Sequence, residues 1–440
     1  LDPDFAMAWR KIAVVLSNNG LDPVRMRDAS TRAFDLRRRL TAREAGLAEA
    51  NYRTSVEDNP EGAIDAYYRL LDRYPDEWTA MNNAGVNLIF LGRNTEALEI
   101  LSRACCDDPT VSQVLYGNLG QAQWNMGQQE EAWGTLEKLL TVRPDASMRF
   151  WIEANLLAGE HRWDEAYDVY EQDVLLNPGA LTSQTTSITD MAGSLLGHGQ
   201  YAQALSLIER AERNATAAGA DGLYVIRPGW FRFYLAYALE GSVAAAKGVL
   251  EDIELNISLD ALAPRTEAWS NLMLSHALAG NADRAEEMFQ IYENDVPAEE
   301  RGWQYRINST SLEAFRALGA EDYPAAASTF DILLSEIYSC TSVCFHQALR
   351  GVALEGAGRT EAAITQYEAH LAGAPLLWDT ALTPWTPTVM ERLARLYADQ
   401  GDVERAVEIL ESLVAQYSDG DGPFLPYVNR AQRRLGELRE

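Results

Sequence analysis

A glycine followed five residues later by an alanine recurs along this chain: Gly92–Ala97, Gly127–Ala132, Gly199–Ala204, Gly280–Ala285, Gly358–Ala363 and Gly401–Ala406. Prolines keep a matching beat, with Pro75, Pro109, Pro144 and Pro178 falling 34, 35 and 34 residues apart. A period of about 34 constrains a chain severely, because each unit has to bury its apolar face against the next. The stretch Trp78 to Pro109 shows what one unit is. Met81, Ala84, Leu88 and Leu91 recur at three- and four-residue spacing, which predicts one helix face. Gly92 tolerates the left-handed backbone that ends such a helix. Ala97, Leu98, Leu101 and Ala104 predict a second stripe, and Pro109 stops it. Gly85 and Ala97 are small where the two helices approach, and a larger side chain there would overpack the contact at about 1–3 kcal/mol. The unit is a helical hairpin.

Gly85 and Gly120 in the first helix, Ala97 and Ala132 in the second, and Pro109 and Pro144 at the end resemble the tetratricopeptide repeat. Trp9 and Trp269 stand at the aromatic position that opens the first helix of that consensus. The resemblance covers nearly the whole chain. It implies an all-α, right-handed superhelical solenoid of about eleven hairpins. Leu1-Asp2-Pro3 resembles the end of a preceding repeat, so the array reads as cut from a longer one. Units one to five follow closely, unit two having Asp58-Asn59-Pro60 as its turn. Unit six covers Thr185 to Thr216, and Ala217 to Arg227 predicts a longer connection. Unit seven, Pro228 to Ile257, is degenerate. Units eight, nine and ten begin at Thr266, Ile307 and Cys344. A loop over Leu376 to Pro387 precedes unit eleven, Pro387 to Asp419. Pro423 to Glu440 predicts a capping helix whose polar face carries Arg430, Arg433, Arg434 and Arg439. Residues 1–220 are thus the regular part and 221–440 the less regular part of one continuous solenoid.

A net charge of −28 argues against a nucleic-acid partner, since phosphates need a basic surface. It permits basic partners, and it serves solubility first. No apolar run approaches the ~20 residues of a membrane helix, and no signal peptide opens the chain. The reading is a soluble array, in the cytoplasm or outside it.

Candidate chemistry is sparse. His161, His198, His276, His346 and His370 form no His-Glu-x-x-His spacing, and His161 and His198 fall at turns between helices. Cys105 and Cys106 are adjacent, while Cys340 and Cys344 could bridge if a loop brings their Cα atoms within about 6 Å. Four cysteines without paired C-x-x-C motifs make a weak zinc signal. Asp419-Gly-Asp421-Gly422 opens like a calcium loop but lacks the closing glutamate, so a glycine-rich exit from unit eleven is the better account. Neither a phosphate-binding glycine loop nor a Gly-x-Ser-x-Gly elbow is present. The expectation is a non-enzymatic chain without metal or cofactor.

Arrays of this kind present their first helices on a concave surface. The resemblance therefore places Tyr52, Asn82, Phe90, Gln121, Trp124, Trp151 and Asn155 in a groove for a peptide or protein. Aromatics offer contact area and amides can hydrogen-bond a peptide backbone. The alternative is that Trp124 and Trp151 pack between neighbouring first helices. The related clamp for a chaperone C-terminus needs basic residues beside Asn82, Asn83 and Asn118, and the matching helices lack them. A second function is head-to-tail self-assembly through Leu1–Trp9 and Pro423–Glu440. A third follows from the spelling of Leu1–Lys11 and Tyr67–Asp76. It resembles arrays carried by bacterial serine/threonine kinases and adenylyl cyclase-like regulators, which implies a sensor or docking region of a larger signalling protein.

Overall fold

The computed structural model describes residues 3–18, 22–104, 111–177, 181–217, 223–257, 262–334, 345–372 and 383–440. Cys105, Cys106, Pro109, Pro178, Cys340 and Cys344 lie outside them, so the readings that rest on those positions do too. Twenty-three α-helices and no strands are found among the described residues. They pair as α1 (Ala6–Asn18) with α2 (Pro23–Asp35), α3 (Ala42–Ser55) with α4 (Pro60–Arg73), and α5 (Trp78–Phe90) with α6 (Asn94–Ala104). The next pairs are α7 (Gln113–Asn125) with α8 (Gln129–Val142), α9 (Met148–Gly159) with α10 (Trp163–Leu176), and α11 (Leu181–Gly197) with α12 (Tyr201–Ala217). Then come α13 (Leu223–Tyr234) with α14 (Val243–Asn256), α15 (Glu267–Leu278) with α16 (Ala282–Asp295), and α17 (Trp303–Gly319) with α18 (Tyr323–Ile332). The last pairs are α19 (Phe345–Gly356) with α20 (Thr360–Ala372) and α21 (Thr386–Asp399) with α22 (Val403–Tyr417), followed by the single helix α23 (Phe424–Arg439). Eleven hairpins and a terminal helix make an all-α solenoid.

Local chemistry explains the hairpin. The turn needs one residue with a left-handed backbone, and Gly92, Gly127, Gly199, Gly280, Gly358 and Gly401 all take it, with φ between 73° and 88°. Five residues on, Ala97, Ala132, Ala204, Ala285, Ala363 and Ala406 are fully buried beneath the first helix. A Cβ on Gly85 would lie 2.5 Å from Leu101 Cγ, so only glycine lets α5 approach α6 this closely. Helix starts are capped in turn. Thr41 and Glu44 form a reciprocal capping box at α3, and Asn59 accepts the Gly62 N–H ahead of Pro60 at the first position of α4.

Unit seven departs from expectation. Its first helix begins at Leu223, not at Pro228, and continues through a π-helical turn at Leu235–Leu239. The connection after α12 is therefore shorter than Ala217 to Arg227. Pro228 lies inside this helix, where its missing N–H forgoes one i→i−4 hydrogen bond. Gly241 and Ala246 then repeat the turn spacing, with φ 64° at Gly241 and Ala246 fully buried.

The coil also closes on itself, which stacking of each unit on its neighbours alone does not provide. The turn of the second hairpin meets the start of α17. Asp58 accepts the N–H groups of Gln304 at 2.6 Å and Tyr305 at 3.2 Å on its carboxylate, and its carbonyl accepts the Trp303 N–H at 2.9 Å. These are first-turn amides that have no acceptor within their own helix. Asp58 therefore caps a helix 246 residues away in the chain. Gly302 permits the approach, since a Cβ there would lie 2.2 Å from the Asp58 carbonyl oxygen. Arg27 and Arg265 both bind Glu300 beside this contact.

A second contact repeats the device. Asp421 accepts the Tyr201 N–H at 2.6 Å and the Ala202 N–H at 3.2 Å, capping α12 from 220 residues away. Its own N–H donates to the Gly199 carbonyl at 3.0 Å. Nearby, the Tyr427 hydroxyl donates to the Leu239 carbonyl at 3.0 Å and Thr388 donates to the Ala238 carbonyl at 2.8 Å. The glycine-rich exit from unit eleven is thus a carboxylate delivered to another helix. One apolar core runs from Ala192 to Leu435 across both levels, whereas the first five hairpins hold smaller separate clusters. The cap helix α23 buries Phe424, Tyr427, Val428, Ala431 and Leu435. No helix among the described residues is long and apolar enough to cross a membrane.

Burial pushes the Asp58 carboxyl up to about 6, although two backbone N–H groups and the charges of Arg27 and Arg265 favour its ionised form. A raised folded-state pKa means stability that is full at low pH and lost as pH rises through about 6. Asp58→Asn keeps an acceptor oxygen and removes the buried charge. Chemical denaturation should find the variant more stable than the parent at about pH 8, by at most about 3 kcal/mol, with the gap shrinking towards about pH 5. An asparagine variant that is the less stable at the higher pH would contradict this reading.

Candidate functional site

The first helices of units three and four are unusual in composition. Neither α5 nor α7 contains a charged residue. Charge collects instead on second helices: Glu96, Glu99 and Arg103 on α6, Glu130, Glu131, Glu137 and Lys138 on α8, and five carboxylates on α10. A chain of net charge −28 thus leaves the first helices of its third and fourth hairpins uncharged.

Amides fill that face and bind one another. Asn118 Nδ2 donates to Asn82 Oδ1 at 2.9 Å, Asn82 Nδ2 to Asn83 Oδ1 at 3.0 Å, and Asn83 Nδ2 to the Tyr67 hydroxyl at 3.2 Å. The chain joins three successive hairpins. Burial pushes the Tyr67 hydroxyl up to about 12, so it stays a neutral partner. Asn155 Nδ2 donates to the Trp151 carbonyl at 2.6 Å, and Gln113 Nε2 reaches Ser147 Oγ of the next unit at 3.2 Å.

The predicted groove residues divide. Asn82, Gln121, Trp124 and Asn155 are buried and belong to the stacking of units. Trp124 is 7% exposed and lies on Gly159, where a Cβ would stand 2.5 Å from its Cζ2. Tyr52 is half-buried and stacks on Phe34, with ring centroids 4.1 Å apart and planes 8° from parallel. Trp151 is half-buried against Gly117, with Cζ3 3.0 Å from the Cβ position. Phe90 alone of the seven is largely free, 44% exposed at the end of α5. The tryptophans are thus used between first helices because two glycines leave indole-sized gaps there. Val114 at the start of α7 and Met126 just beyond its end are exposed apolar residues that the sequence reading did not single out. The absence of charge from α5 and α7 was the available signal.

Histidines are spent locally. His276 is buried, faces Glu254 at 3.2 Å, and burial lowers its pKa. His198 Nδ1 lies 3.2 Å from the Ser194 carbonyl. Among the described residues no three histidine, cysteine or acidic side chains converge as metal ligands.

Residues 47–110, 114–145 and 388–420 match models of the tetratricopeptide repeat. Two solved structures titled as MamA are similar at 18% identity. They have TM-scores of 0.31 and 0.32, span 39% and 40% of this chain, and are themselves covered over 96% and 93% of their length. A structure titled as Pseudomonas aeruginosa pilF is similar at 20% identity and a TM-score of 0.33, over 57% of this chain and all of that one. No curated protein matches the chain.

The division of roles is measurable by denaturation. Trp124→Ala should cost about 3–5 kcal/mol as a core truncation. Asn118→Ala should cost about 1–3 kcal/mol by leaving the Asn82 carbonyl unpaired. Phe90→Ala should change stability by less than about 1 kcal/mol. A Trp124 variant as stable as the parent would return that residue to the open groove.

Proposed function

Because this chain is a tetratricopeptide-repeat protein, we propose that it is a protein-interaction scaffold whose first-helix face takes an extended, uncharged and apolar peptide segment. The observation that carries this reading is the charge-free composition of α5 and α7 in a chain that is otherwise strongly acidic. A charged ligand would find no complementary side chain on those helices, while Phe90 and Val114 offer exposed apolar contact and Trp151 an aromatic edge. Aromatic anchors of this kind dominate binding energy when a partner covers them. The buried asparagine chain has another role: it fixes the spacing of the helices that present the contact. No catalytic role belongs to this reading, since repeats of this family are typically scaffolds.

Head-to-tail self-assembly is the second reading. It is favoured by Phe5, Val15 and Val24, which are exposed on the first hairpin. The opposite end works against it. The outer side of α23 carries arginines, of which Arg430 and Arg439 already bind Glu391 and Glu411. Charged caps of this type resist stacking of a further unit.

Selection of peptides from a random display library against the purified chain separates these ideas. It should enrich segments of near-zero net charge with apolar side chains. Their affinity should fall about tenfold or more with Phe90→Ala or Val114→Asp, a loss of about 1.4 kcal/mol. Enrichment of charged motifs, or binding that both substitutions leave intact, would overturn the assignment.

A further inference from the structure

The two contacts between levels are built differently. At Asp421 the hydrogen bonds stand over packed rings. A Cβ on Gly199 would lie 3.3 Å from the Tyr417 ring and 3.6 Å from the Phe424 ring, and one on Gly422 would lie 2.9 Å from the Tyr201 ring. Ala204 and Ile208 of α12 share one apolar core with Tyr417, Phe424 and Tyr427. At Asp58 no apolar core crosses among the described residues. The long core includes no residue of α1 to α4, and the clusters of the first five hairpins include none of α15 to α17. What crosses there is polar: the N–H groups of Trp303, Gln304 and Tyr305 donate to Asp58, and Arg27 of α2 binds Glu300. A polar contact exchanges its bonds for water when it parts, whereas a core exposes its apolar surface. The Asp58 contact is therefore the easier of the two to open.

Its surroundings make the opening sensitive to protons. Arg27 from α2 and Arg265 from the segment before α15 share Glu300 beside Asp58. Tyr292 of α16 lies within electrostatic reach, and burial pushes its hydroxyl up to about 12, so it stays neutral. Burial likewise raises Tyr305, whose hydroxyl donates to Glu293 at 2.7 Å. Glu57, the chain neighbour of Asp58, is held by Arg53 at 3.0 Å. The closed contact dehydrates the Asp58 carboxyl and raises it to about 6. Opening returns it to water and to the ordinary carboxylate range. Closure therefore takes up a proton, and it strengthens as pH falls through about 6.

We propose that the Asp58 contact is a latch: the first two hairpins part from α17 without unfolding while the Asp421 contact stays shut, and acidification fastens them again. The latch is separate from the peptide face on α5 and α7 and stands or falls without it.

Amide exchange in the full chain, corrected for its intrinsic pH dependence, tests both halves of the proposal. Protection of the Gln304 and Tyr305 amides should fall roughly tenfold from about pH 5 to about pH 8, while that of Tyr201 holds. In Asp58→Asn the fall should vanish and the two amides should stay protected. Gly302→Val drives a side chain into the Asp58 carbonyl and should force the contact apart. Small-angle scattering should then show a larger radius of gyration, with helicity and Tyr201 protection unchanged. The proposal is overturned if Gln304 and Tyr305 are protected equally at both pH values, or if Asp58→Asn keeps the fall. It is overturned as well if Tyr201 loses protection together with them, or if Gly302→Val stays as compact as the parent.

Discussion

The structure depends on one close contact repeated along the chain: a fully buried alanine of each second helix lying beneath its first helix, five residues after a left-handed turn. The alanine has no side-chain entropy to lose and no bulk to hold the helices apart. The turn residue sets the direction in which the second helix returns. Every other feature is built on the resulting hairpin, including the amide chain from Tyr67 to Asn118 and the gaps at Gly117 and Gly159 that receive Trp151 and Trp124. A hairpin of this kind cannot bury both of its faces alone, so its stability is shared with its neighbours.

The second constraint is less local. An ordinary solenoid gains nothing from units five or seven places apart. Here Asp58 and Asp421 each supply the cap that a remote helix lacks. Helix starts need acceptors for their first amides, and either a local side chain or a distant one serves. By using distant ones the chain converts an open coil into stacked levels with a common core. The arrangement desolvates the Asp58 carboxylate, and the rise in its pKa records that cost.

Much of the fold was legible because its rules are local. All six glycine–alanine pairs fall at hairpin turns. The units that escaped the pattern have plain reasons. His161 and Glu321 stand in the glycine's place with φ of 60° each, so a search for glycine passes over them. Gly241 and Ala246 keep the spacing, but Pro228 looked like a helix start and hid the true one. The contacts between levels leave no periodic trace, since Asp58 reads as an ordinary turn residue and Asp421 as part of a glycine-rich exit. The places of the expected groove residues were half legible for another reason. A tryptophan at helical spacing is equally suited to filling a gap between helices and to meeting a partner, and only the opposing Gly117 and Gly159 decide between them.

Closure of the coil by remote carboxylates is tested most directly by hydrogen exchange at single amides. The N–H groups of Tyr201, Gln304 and Tyr305 sit in the first turns of α12 and α17, where no acceptor exists within the helix. They should exchange slowly in the parent chain. Asp421→Ala should release Tyr201 alone, and Asp58→Ala should release Gln304 and Tyr305 alone. Exchange of these three amides at the rate of an unprotected chain in the parent protein would show that the levels do not close.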